Sequence, residues 1–159
     1  PVNAAKGAAL LPAKPLDAAS FFNGRFLSPG LAKRGDGWAW HVPEWREIPG
    51  SFRETFAGLK LLCGGPAGGG VSFEFEGRAV GAYVLAGPDA GVLEVSIDAG
   101  EYKPTNLYHH FSRGLHYPRT VMFATDLAAG RHSVRLRLAK PPGDGVKGTA
   151  ARILQFAVN

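Results

Sequence analysis

From Trp38 onward apolar and polar residues alternate with a period of two, in short runs separated by Gly, Pro and Asp. Strands that bury one face and wet the other produce this pattern. Val71-Ser72-Phe73-Glu74-Phe75-Glu76 turns Val71, Phe73 and Phe75 to one side. Leu93 to Asp98 alternates in the same way, and Ser133 to Leu138 sets Val134, Leu136 and Leu138 against Arg135 and Arg137. Ala79 to Ala86 is apolar on both sides, which predicts a central strand. Adding Trp38–Val42, Leu59–Cys63, Val121–Thr125 and Arg152–Val158 brings the expectation to about eight strands. Ala99-Gly100 predicts a turn in which the glycine takes the positive φ.

The first 35 residues differ from the rest. Asp17 is the one helix-start signal and could cap a turn or two ending at Gly24. Residues 1–35 are therefore expected to form an arm lying over a domain of residues 36–159, anchored by Phe21, Phe22, Phe26 and Leu27. Short strands at irregular spacing, with long crossovers and no helices between them, point to an all-β fold: a two-sheet antiparallel sandwich of jelly-roll type. One connection stands out. Glu101 to Thr120 holds three His, three Tyr, two Arg and a Phe, and long loops on rigid sandwiches are common places for binding groups.

Composition narrows the class. The 159 residues include 22 Gly and 12 Pro, with 45% apolar and 19% charged, enough apolar chain for one core and too much for a disordered chain. No run approaches the roughly 18 apolar residues of a membrane helix, so no membrane partner is expected. The single Cys63 excludes an internal disulfide and reads as a small buried hydrophobe. A start at Pro1, without an initiator Met or a signal-like stretch, is expected of a mature chain or of a domain from something longer.

Several chemistries lack their residues. There is no Gly-x-Ser-x-Gly, no Gly-Asp-Ser and no Asp followed three positions later by His, and Ser112 has His neighbours but no third group, so no catalytic residue is assigned. His109-His110-x5-His116 matches no zinc spacing, because adjacent residues on an extended segment point apart, and no acidic loop suits calcium. Neither metal nor cofactor is expected. The net charge of +5 raises nucleic acid, but the arginines are dispersed and no aromatic RNA motif or basic cluster exists, so that partner is not expected either. Carbohydrate recognition needs flat rings beside polar groups. Trp45, Tyr102, Tyr108 and Tyr117, with His109, His116 and Arg119, are the candidates, whereas Trp38 and Trp40 share a strand face and read as core.

Val71 to Asn159 resembles the β-sandwich ancillary domain, galactose-binding-like in fold, that accompanies bacterial SGNH/GDSL-type hydrolases. The resemblance rests on Phe73-Glu74-Phe75-Glu76-Gly77-Arg78-Ala79-Val80-Gly81, on Ala86-Gly87-Pro88-Asp89-Ala90-Gly91 leading into Val95-Ser96-Ile97-Asp98, on Leu115 to Thr120, on Leu127 to His132 and on Ala151 to Phe156. It implies a secreted or periplasmic protein with an adjoining hydrolase domain that acts on ester groups, often of carbohydrates, and carries the catalytic residues itself. Three roles follow as expectations: a non-catalytic module that binds carbohydrate or docks the hydrolase, a loop 101–120 that completes the neighbour's active site, or a structural assembly domain.

Overall fold

The computed structural model describes residues 13–14, 17, 23–65, 68–140 and 148–159. Among these residues eleven strands run in chain order: β1 (Arg25–Leu27), β2 (Lys33–Arg34), β3 (Trp38–His41), β4 (Leu61–Gly64), β5 (Gly70–Gly77), β6 (Val80–Ala86), β7 (Val92–Ile97), β8 (Lys103–Asn106), β9 (Tyr117–Ala124), β10 (Gly130–Leu138) and β11 (Ala151–Val158). They form two antiparallel sheets. One has the order β3-β4-β11-β6-β9, with β1 also paired to β11, and the other runs β2-β5-β10-β7-β8. From β5 on the chain changes sheet at nearly every step, as the long crossovers required. The expected two-sheet sandwich is present.

The inward alternation builds its core. Val71, Phe73 and Phe75 on β5 face Val134 and Leu136 on β10, and Phe73 stacks on Phe156 of β11 with centroids 3.9 Å apart. β6, apolar on both sides, lies between β11 and β9 and is buried at six of its seven positions. Trp38 is core, its indole Nε1 donating to the Gly69 carbonyl at 3.1 Å, and Trp40 packs against the same cluster. The Trp38 ring lies over Gly64, where a Cβ would meet it at 2.7 Å.

Three expectations change. Part of the segment read as an arm is woven into the sandwich, since β1 pairs with β11 and β2 with β5. Leu27 packs on the core while Phe26 stays exposed. Phe21 and Phe22, and most of the turn begun at Asp17, lie outside the described residues. At the β7–β8 turn the positive φ falls on Asp98 (51°) and Ala99 (60°) rather than on Gly100. Asp98 tolerates it because its carboxylate accepts from the Ser133 N–H at 2.8 Å and bonds His132, while the Gly100 N–H closes onto the Ile97 carbonyl. Finally, 101–120 is not one loop. It contains β8, a 3-10 turn at His110–Arg113 and the first residues of β9. Pro104 hid β8, but proline is tolerated on an edge strand.

Candidate functional site

The division of 101–120 separates the candidate residues. Tyr102 precedes β8 and covers the Arg137 guanidinium on the outer face of the five-stranded sheet, 4.0 Å from the ring centroid. Tyr108 to Arg119 lie beyond the other end of β8, where the chain crosses to the opposite sheet.

A local capping arrangement organises that crossing. Asn106 Oδ1 accepts from the Tyr108 N–H at 2.9 Å, a turn typical of Asn. His109 then caps the 3-10 turn: its Nδ1 accepts from the Phe111 N–H at 3.4 Å, while Ser112 Oγ accepts from the His109 N–H at 3.3 Å. Ser112 is thereby buried as a cap and presents no nucleophile. Leu107 is buried beneath the segment and fixes it to the core.

The cap gathers rings at the surface. His109 stacks on Tyr117 at 5.4 Å with 16° between planes, His110 lies 4.1 Å from His109, and Phe111 contacts His110 at 3.9 Å and Tyr117 at 5.1 Å. Phe111 is 54% exposed, and Tyr108, three residues earlier in the chain, is 38% exposed. Arg119 stands two residues from Tyr117 on the edge strand β9, so both point to the same side. Desolvation first, and the neighbouring Arg119 guanidinium besides, lower the His109 pKa, which favours the neutral imidazole whose Nδ1 can accept. His110 and Phe111 were missed in the sequence because their exposure depends on the cap. The His-x-x-Ser spacing was its only trace.

Two candidates lie elsewhere. Trp45 is buried, stacked on Phe52 at 4.7 Å, with its Nε1 donating to the Ala57 carbonyl. It belongs with Leu61 and Leu85 to a second apolar cluster on the outside of the six-stranded sheet, and it has no face open to a ligand. His116 is fully buried with its ring edge against Trp45. Its Nε2–H donates to the Pro49 carbonyl at 3.1 Å, and its Nδ1 has no hydrogen-bond partner among the described residues. Burial first, and the Arg152 charge second, hold its pKa below the ordinary value. Nearby, Arg152 makes a bidentate pair with Asp89, at 2.8 and 2.6 Å. Cys63, opposite Arg152 on β4, has its thiol pushed up to about 11 by burial, which suits a packing role. No helix among the described residues is long and apolar enough to cross a membrane.

No protein-family model and no curated protein sequence matches the chain. Solved structures do. A two-domain esterase active on acetylated mannans, crystallised with mannopentaose, superposes over 92% of this chain and 39% of its own, with TM-score 0.62 and 14% identity. An exo-β-1,3-galactanase from Phanerochaete chrysosporium with galactose matches 86% of this chain and 29% of its own, with TM-score 0.55 and 20% identity. A family two carbohydrate esterase from Cellvibrio japonicus matches 85% and 32%, with TM-score 0.54 and 15% identity. At these identities the similarity is one of fold, and this chain spans about a third of the length of each protein.

Proposed function

We propose that this chain is a non-catalytic carbohydrate-binding module of a larger secreted esterase of the SGNH/GDSL type, with Tyr108, His109, His110, Phe111, Tyr117 and Arg119 as its sugar platform. The observation that carries this reading is the exposed ring cluster held by the His109 cap. Flat rings stack on the apolar faces of pyranoses, and Arg119 and the imidazoles supply hydrogen bonds to hydroxyls. The neighbours, which include two carbohydrate esterases and a galactanase, support a carbohydrate ligand and an adjoining domain.

The test is calorimetric titration of mannopentaose and β-1,3-galactotriose into the wild type and a Tyr108→Ala, Phe111→Ala double variant. Both rings are exposed, so the variant keeps its fold, and losing two stacking partners is expected to weaken binding about tenfold or more. Undetectable binding by both proteins would remove the carbohydrate reading. The same segment would then remain as a contact surface for the esterase domain.

A further inference from the structure

The outer face of the five-stranded sheet carries a second feature, separate from the ring cluster. β10 turns Arg131, Arg135 and Arg137 outward. Arg131 is paired with Glu74 of β5, and the Arg137 Nε donates to Glu94 of β7 at 2.6 Å. Arg135, between them, has Ser72 beside it on β5 and Ser96 on β7. Ser96 is buried and its hydroxyl donates to the Gly100 carbonyl, so neither neighbour supplies an anion. Register continues the row to the edge, where Lys33 of β2 stands opposite Ser72. One row across three strands thus reads Lys33, Ser72, Arg135, with neighbours about 4.8 Å apart.

This row lines a groove of about 320 Å³ that also includes Leu31, Glu74 and Ser133. That volume lies at the small end of ligand sites. Glu74 is neutralised by Arg131, which leaves Lys33 and Arg135 as two exposed cations without a carboxylate partner among the described residues, flanking the hydroxyls of Ser72 and Ser133. A guanidinium fork matches a carboxylate in two parallel hydrogen bonds, and serine hydroxyls donate to and accept from sugar hydroxyls. We infer that this groove is an anion-selective saccharide site for a carboxylated sugar, a uronic acid residue within an oligosaccharide, with Arg135 holding the carboxylate and Lys33 adding charge. It goes beyond the ring platform and would stand if that platform bound nothing.

The test titrates a trimer of galacturonic acid, neutral galactotriose and a short oligothymidylate into the wild type, Arg135→Ser, Lys33→Ser and Arg46→Ser. Arg46 is exposed and lies outside this sheet, so its loss changes net charge equally and controls for non-specific attraction. Binding of the acidic trimer is expected to weaken about tenfold in Arg135→Ser, less in Lys33→Ser and under about twofold in Arg46→Ser. It is also expected to persist in the Tyr108→Ala, Phe111→Ala variant, which separates this site from the platform. Four results would overturn the assignment: equal loss in Arg46→Ser, no loss in Arg135→Ser, equal binding of the neutral trimer through the same residues, or tighter Arg135-dependent binding of the oligothymidylate.

Discussion

The two sheets treat their outer faces in opposite ways. Outside the six-stranded sheet, residues 43–59 lie as a cover, with Trp45, Ile48, Phe52 and Phe56 packed on Leu61, Leu85, Cys63 and Leu154. Beneath that cover Arg152 is buried against Asp89, and His116 is sealed without a partner for Nδ1 among the described residues. Outside the five-stranded sheet the described residues form no such layer. Outward positions of β5, β7 and β10 carry Glu74, Glu94, Arg131, Arg135 and Arg137 in cross-strand pairs or free. The difference is written in the strands themselves: outward Leu61 and Leu85 require a cover, and outward charges require water. A face whose ionic pairs stay wet keeps ligand-sized polar grooves open. A covered face turns the same residue types into structural parts.

The largest effect that would break this comparison concerns the two kinds of ion pair. Asp89→Ala strands the Arg152 guanidinium, 7% exposed, without its bidentate partner. Leaving one buried charge unpaired costs about 3–5 kcal/mol. Glu94→Ala on the open sheet removes a pair whose side chains are 50% and 31% exposed, and a loss of about 1 kcal/mol or less is expected. Urea unfolding of both variants at neutral pH checks this. Similar losses for the two would mean that the cover does not seal Arg152 from water.

A smaller effect probes how tightly the cover is packed. The Cα of Gly87 lies so close to His116 that a Cβ would stand 2.2 Å from Cε1. The imidazole has little room to yield, since one edge is against Trp45 and Nε2 is bound to Pro49. Gly87→Ala is therefore expected to cost about 1–3 kcal/mol through overpacking. One methyl added on the open face, in Ser72→Thr, should change stability by about 0.5 kcal/mol or less. Thermal unfolding of the pair would show whether the contrast between the faces extends to packing.

Much of the sandwich was legible because alternation is local: β5, β7, β10 and the two-sided β6 follow from residues within each strand. β1, β2 and β8 were not, since strands of two to four residues at edges or ends are defined by their partners rather than by their own pattern. The site divides along the same line. His109 and Tyr117, eight residues apart in one segment, stack on each other, whereas Tyr102 is carried to the other end of β8 by a strand that Pro104 concealed. Trp45 and His116 had the right chemistry for a sugar site, but a tertiary contact between distant segments, with Ser51 bridging to Leu115, buries both. No pattern within either segment announces such a contact.

The smallest expected effect is a pH dependence in which two histidines pull in opposite directions. His132 bonds Asp98 through Nδ1 at 2.6 Å and the Ala128 carbonyl through Nε2 at 2.8 Å, two acceptors that together favour the imidazolium. The Asp98 bond first and the carbonyl second raise its pKa above 6.5, so its stabilisation is fully present below that pH and is lost as pH rises through the folded value. For His116 the shift is downward, from the same ordinary 6.5. As pH falls below 6.5 the unfolded chain takes up a proton that the buried imidazole resists, and the fold loses stability on that side. Stability should accordingly peak near neutrality, and His132→Gln should remove the decline on the alkaline limb while leaving the acid limb in place. Urea midpoints from pH 5 to 9 for the two proteins would decide it, because an unchanged alkaline limb in His132→Gln would show that the Asp98 pair contributes nothing to the fold.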